Sequence, residues 1–232
     1  MQFAPLYPIL YKILKPSFPS CLWTGSTNSN AIALTFDDGP HPQYTPELLQ
    51  VLDRYNIPAS FFWLGACVDR TPTVAREVYK RGHSIGLHGY HHHSFPFLTA
   101  DALKQSLEKT QEAICAALAI ATCDAQACQL HPSNIRDVRP PNGLFTPQTL
   151  SLLHQWNYRP VMWSVVPEDW ERPGVSVVVQ RVLRQVHNGS LIVLHDGYYG
   201  GQDVAETTNQ LVPQLLQRGY HFVTIDQLWQ QI

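Results

Sequence analysis

The chain has 232 residues, 44% hydrophobic and only 15% charged, with a formal net charge of −2. This composition excludes a disordered chain, which needs little apolar content and much charge, and it leaves no basic footprint for nucleic acid. With 11 His, 6 Trp and 18 Pro, it is a globular body of single-domain size, rich in titratable nitrogen and rigid turns.

The chain opens on an apolar segment, but no run approaches the ~18 consecutive apolar residues of a membrane span. Up to Phe36 the charged side chains are Lys12 and Lys15, and both follow the apolar start. A secretory leader has the reverse order and a small-residue cleavage site, so a cytoplasmic or peripheral membrane location is favoured over a secreted one. Residues 1–30 are read as an N-terminal extension. Leu6–Trp23 is expected to pack onto the domain that follows, with membrane-surface contact as the lesser alternative.

From Ala31 onward, short apolar runs alternate with helical patterns. Ala31–Phe36, Ala59–Leu64, Ser84–His88, Ile135–Arg139, Tyr158–Val165, Leu191–Leu194 and Tyr220–Thr224 read as buried strands rich in β-branched and aromatic residues. Between them, Thr45–Tyr55, Thr71–Arg81, Thr99–Ala119, Thr146–Trp156, Val175–His187 and Asp203–Arg218 show apolar residues at three- and four-residue spacing. Several of these start at a Thr or Asp suited to cap a helix, and Gly82, Gly189 and Gly219 sit where a left-handed cap needs glycine. Such alternation demands parallel strands joined by right-handed crossovers. Residues 31–232 are therefore expected to form one α/β domain, a distorted (β/α)7 barrel, with Thr122–Asn134 as a surface insertion. The five cysteines are odd in number and form no Cys-x-x-Cys pair. Free thiols are favoured over a disulfide framework, although Cys123 and Cys128 can bridge a local loop.

In such a barrel the loops after the strands converge on one face, and five of them carry chemical signals. The first strand ends in Asp37-Asp38, two adjacent carboxylates that need a positive neighbour. The third ends at His88, followed four residues later by His92, a spacing that can aim two imidazoles at one ion. The fourth leads into Arg139-Pro140-Pro141-Asn142-Gly143, whose guanidinium can pin a carboxylate. After the fifth comes Asp169-Trp170, and the sixth runs Leu191-Ile192-Val193-Leu194-His195. Each signal alone has an ordinary structural explanation as a turn, a solvated loop or a core histidine. Together they supply what metal-assisted hydrolysis with a separate acid and base requires.

These five motifs, in this order, resemble those of the polysaccharide deacetylases, the NodB-homology family of carbohydrate esterases. The resemblance covers the chain from about Ala31 to its end. It implies that Asp38, His88 and His92 hold a divalent metal, usually zinc in this family. It further implies that Asp37 is the general base, held in place by Arg139, and that His195 is the general acid, oriented by Asp169. Asn142 would offer its backbone N–H to the oxyanion, while Trp170, Leu191 and Val193 would wall a small pocket for the acetyl methyl. The implied activity is hydrolytic removal of N-acetyl groups from amino sugars of a peptidoglycan- or chitin-like glycan. Alternatives are a deformylase or deacylase of a lipid-linked sugar, an O-acetyl esterase, and a catalytically silent glycan-binding module. Three departures stand out. Gly89 replaces a hydroxyl residue after the first metal histidine, Val166 replaces an aspartate ahead of Asp169, and Val193 replaces a leucine. His91 and His93 are extra loop residues.

Overall fold

The computed structural model describes residues 6–119 and 134–231. Every residue of the first strand, β1 (Ala31–Asp37), is buried, as an unbroken apolar run covered on both faces demands. It is flanked by β2 (Ser60–Trp63) and β6 (Leu191–His195), and its first two residues also pair with β7 (His221–Phe222). From β2 the sheet continues through β3 (Ser84–Leu87) and β4 (Asp137–Val138) to β5 (Arg159–Pro160). All seven strands are parallel neighbours in one sheet. The helices α2 (Tyr44–Tyr55), α4 (Pro72–Lys80), α5 (Ala100–Ala119), α6 (Pro147–Gln155), α7 (Val175–Gln185) and α8 (Val204–Gln217) cross over between strands. This is the expected distorted (β/α)7 barrel.

The fifth strand is shorter than its sequence suggests. Tyr158–Val165 reads as one apolar run, yet only Arg159 and Pro160 pair with β4. Beyond them the backbone turns to other partners. Met162 N–H donates to the Leu22 carbonyl, and the Met162 carbonyl accepts from the Arg139 guanidinium at 2.9 Å. Ser164 and Val165 then both donate to the Leu191 carbonyl, a bulge-like two-on-one contact that bends the chain back onto β6. The bridge between Val165 and Ile192 closes the barrel there, and Leu22 and Thr24 plug the rest of the seam by pairing with Val161 and Ser190.

Three helices lie outside the expected set: α1 (Tyr7–Ser17), α3 (Gly65–Arg70) and α9 (Ile225–Trp229). Helix α1 turns Tyr7, Tyr11 and Leu14 towards the core, joined by Phe18 just beyond it, while Cys21, Leu22 and Trp23 are fully buried. No residue of α1 is itself fully buried. Thr146 caps α6 by accepting from Thr149 N–H. Thr45 does not cap α2, which begins at Tyr44; its hydroxyl is engaged elsewhere, as described below. Gly82 and Gly219 follow α4 and α8 with φ of 78° and 84°, the left-handed conformation expected of a glycine cap. Cys21 and Cys67 are free thiols, and Cys123, Cys128 and most of the expected insertion lie outside the described residues.

Candidate active site

The parallel register alone brings Asp37 and His195 together. Asp37, the last residue of β1, lies directly opposite His195, the last residue of β6. Asp38 follows with φ of 72°, a left-handed conformation that turns its carboxylate away from the strand line. His88 and Arg139 come one residue after β3 and β4, whose register places Leu87 beside Val138. All of these side chains line one cavity of about 640 Å³ at the C-terminal end of the barrel.

Arg139 clamps Asp37. Its Nη1 donates to Asp37 Oδ1 at 2.7 Å and to Thr35 Oγ1 at 2.7 Å, and its Nη2 donates to the Met162 carbonyl. The guanidinium carbon lies 4.1 Å from the centre of the Phe62 ring, so stacking fixes its plane as well. Arginine and aspartate are only 2% and 3% exposed, and removing either partner strands a buried charge at a cost of about 3–5 kcal/mol. Asp37 Oδ2 is left free of this clamp.

The Arg139 loop also orients a neighbour. His88 Nδ1 lies 2.7 Å from the Arg139 carbonyl. A carbonyl can only accept, so Nδ1 carries the proton and the Nε2 lone pair faces the cavity. Burial lowers the pKa of His88, which favours the neutral imidazole that ligation requires. Nε2 of His88 and Nε2 of His92 each lie 3.4 Å from Asp38 Oδ1, and the three ligand atoms fall within 4.8 Å of one another. Asp38 Oδ1 is buried and has no hydrogen-bond donor. Ligands about 2.1 Å from a tetrahedral ion are about 3.4 Å apart, so the set fits a small divalent cation with N, N, O ligation.

On the neighbouring strand His195 is gripped twice by Asp169, Oδ1 at 2.9 Å from the ring Nδ1 and Oδ2 at 2.7 Å from the backbone N–H. Burial acts to lower the pKa of this imidazole, but the charge and hydrogen bond of Asp169, joined by Asp38 and Asp37, raise it to about 10. The raised pKa favours the cationic ring, whose Nε2 is left for the cavity. Trp170 meets it edge-on, with ring centres 5.1 Å apart.

The remaining expected site residues divide. Val193 lines the cavity, as do Trp170 and Asn142; the latter has φ of 58° and donates from Nδ2 to Ser94 Oγ at 2.8 Å. Leu191 does not. It points the same way as Val193, but two residues deeper, and is sealed among Leu22, Ala31, Ala33, Phe62 and Val161 at the closed end of the barrel. Period-two alternation gives the face correctly and says nothing of depth. Val166, where the aspartate is missing, forms an apolar piece of the cavity wall. Gly89 has φ of 85°, and a Cβ there would stand 3.1 Å from the His91 carbonyl oxygen. The loop is anchored from elsewhere: Tyr90 N–H donates to Ser106 Oγ at 2.8 Å, and Tyr90 hydroxyl donates to Asp69 at 2.7 Å. His91 and His93 are exposed and outside the ligand cluster.

Several contributors are silent in the sequence. Tyr7 of α1 reaches the cavity and meets Trp163 edge-on, with ring centres 5.4 Å apart. Asp196, adjacent to His195, is fully buried, and burial pushes its pKa up to about 7. It accepts from Thr45 Oγ1 at 2.5 Å, and Thr45 Oγ1 in turn accepts from His41 N–H, so the hydroxyl expected to cap α2 instead ties down the loop after Asp38. Asp196 N–H donates to the Asp37 carbonyl, and a Cβ at Gly39 would collide with the Asp196 carboxyl. The Asp-Gly pair at 38 and 39 and the His-Asp pair at 195 and 196 were the available signals.

The polysaccharide deacetylase family model matches residues 24–161. The chain belongs to this family. A peptidoglycan-N-acetylglucosamine deacetylase of Bacillus cereus is 32% identical over 225 residues, 95% of this chain and 97% of that protein. A chitooligosaccharide deacetylase of Sinorhizobium fredii is 34% identical over 209 residues, 84% of this chain and 89% of that protein. Among solved structures, the Bc1960 peptidoglycan N-acetylglucosamine deacetylase superposes with a TM-score of 0.81 at 28% identity, over 92% of this chain and 94% of that one. The deacetylase resemblance of the five motifs is thus matched by whole-chain similarity in sequence and fold.

Proposed function

We propose that the protein is a divalent-metal-dependent hydrolase that removes N-acetyl groups from the amino sugars of a peptidoglycan- or chitin-like glycan. The observation that carries this reading is the meeting of two clamped groups on one cavity: Asp37 held by Arg139 and, beside it on the neighbouring strand, His195 held by Asp169, with Asp38, His88 and His92 lining the same cavity. The family relationship supplies the substrate class, since the relatives named above act on N-acetylglucosamine glycans.

The amide bond poses two demands. Water attacks poorly unless a base takes its proton, and an amine leaves poorly unless an acid protonates it. Asp37 Oδ2, free of the arginine clamp, accepts the proton of the attacking water. His195 Nε2 donates to the departing sugar nitrogen, and Asp169 stabilises the cation until that moment. Asp38, His88 and His92 would hold a divalent cation, zinc in this proposal; when bound it would supply Lewis acidity to carbonyl and water. The Asn142 backbone N–H is the second donor for the oxyanion. Trp170, Val193, Trp163 and Val166 give the acetyl methyl an apolar wall. A separately clamped acid favours amide over O-acetyl ester cleavage, because an alkoxide leaves with far less help than an amine.

The test is to incubate purified protein with N-acetylglucosamine oligomers, peptidoglycan and lipid-linked acylated sugars, and to measure released acetate, formate and free amine. Acetate and amine in equal amounts from the oligomers or peptidoglycan support the proposal. Formate, or acetate without new amine, contradicts it.

A further inference from the structure

Helix α1 is apolar on two sides. Its inner side, Tyr7, Tyr11 and Leu14, covers the barrel. Its outer side carries Leu6, Ile9, Leu10 and Ile13, which are 48%, 55%, 43% and 58% exposed. Their i, i+3, i+4, i+7 spacing aligns them in one stripe along the helix. A helix that buries only one face normally places charged residues on the other, so this stripe lacks a partner. The charges on the helix itself have one sign: Lys12 is exposed beside the stripe and Lys15 packs over Tyr11, while the carboxylates of Glu168 and Glu171 act on Tyr7 at the cavity side.

We infer that α1 docks the protein on an anionic lipid surface. Leu6, Ile9, Leu10 and Ile13 would enter the headgroup–acyl boundary, with Lys12 at the lipid phosphates. The charge of the helix carries this choice, since an apolar stripe beside an exposed lysine, on a helix that bears no carboxylate of its own, complements an anionic bilayer. A second copy of the chain fits less well. A stable interface takes about 800 Å² from each partner and some 20–30 residues, which four half-exposed side chains on one stripe do not provide. The docking helix is also continuous with the site, because Tyr7 on its first turn is part of the cavity wall. Tyr198 and Tyr199 line the same cavity and are 69% and 63% exposed, the amphipathic side chains that settle at headgroup level. Docking therefore stands independently of the hydrolase reading. Its consequence, that the cavity mouth opens near the membrane and takes glycan held there, rests on that reading.

The experiment is co-sedimentation of the full chain with vesicles of phosphatidylcholine alone and of phosphatidylcholine mixed with phosphatidylglycerol. Deacetylation of a soluble N-acetylglucosamine oligomer is followed in parallel. Wild-type protein sediments with the anionic vesicles and much less with the neutral ones. The double variant Ile9→Asp/Ile13→Asp loses at least about tenfold in vesicle affinity, and Lys12→Gln loses about fivefold, as for one lysine at an anionic surface. Circular dichroism of both variants matches the wild type, since these side chains are solvent-facing. Wild-type protein that stays in the supernatant overturns the inference, as does binding that the double variant retains. Self-association that Ile9→Asp/Ile13→Asp abolishes, without vesicle binding, also overturns it and assigns the stripe to a second copy. Vesicle binding without oligomer turnover upholds the docking and counts only against the hydrolase reading.

Discussion

Replacing Asp169 with Asn isolates the electrostatics of the acid without removing its hydrogen-bonding shape. In the wild type the His195 imidazole is raised to about 10, because the adjacent carboxylate outweighs a burial that acts to lower it. Without that carboxylate, burial is opposed only by the more distant Asp38 and Asp37, so the pKa falls towards the ordinary 6.5. At about pH 8.5, two units higher, about one imidazole in a hundred carries the proton. Acetate release from an N-acetylglucosamine oligomer should then fall about 100-fold at that pH, with the deficit narrowing towards pH 6. Stability has the same sign: a raised imidazole pKa stabilises the fold fully below pH 6.5 and stops doing so as pH climbs through about 10. The wild type therefore loses this contribution on the alkaline side, whereas the variant lacks it throughout. The assay is the pH profile of kcat/KM together with NMR titration of the His195 ring. A variant profile that parallels the wild type from pH 6 to about pH 9 would refute the assignment of His195 as an acid tuned by Asp169.

Asp37→Asn keeps an oxygen for Arg139 but cannot accept the water's proton. Turnover should drop by about two orders of magnitude or more, while metal content measured by mass spectrometry stays at the wild-type level. Leu191→Ala removes a core side chain, so denaturant titration should show about 2–5 kcal/mol of lost stability with KM for the oligomer unchanged. A raised KM with unaltered stability would return Leu191 to the substrate pocket. Ser106→Ala removes the acceptor of Tyr90 N–H; zinc affinity should weaken about tenfold as the histidine loop loosens, and metal binding equal to the wild type would show the anchor to be dispensable.

The site was legible because its residues sit on regular features. Asp37, His88, Arg139 and His195 each end or immediately follow an apolar strand, so once the strands are placed the parallel arrangement gathers them. Depth was not legible: Leu191 and Val193 share a face, and only the barrel's closed end separates a core residue from a cavity wall. Contacts between distant segments left no local trace either. Nothing near Tyr7 announces that it meets Trp163, and nothing near Thr45 announces Asp196. The short fifth strand has the same origin, since the Leu22 carbonyl takes the N–H of Met162 and Arg139 takes its carbonyl. Helix α1 escaped because its pattern is apolar on both sides, and a strong period-3.6 signal needs a polar side for contrast.

The central claim is that one cation held by Asp38, His88 and His92 is needed for the chemistry between Asp37 and His195. Zinc content per chain, measured alongside acetate release for wild-type protein and His88→Ala, tests it most directly. The account predicts one zinc per wild-type chain, activity lost on chelation and restored by added zinc, and a variant deficient in both metal and turnover. Full activity in chelated, metal-free protein, or a His88→Ala variant that still carries one zinc per chain, would contradict it.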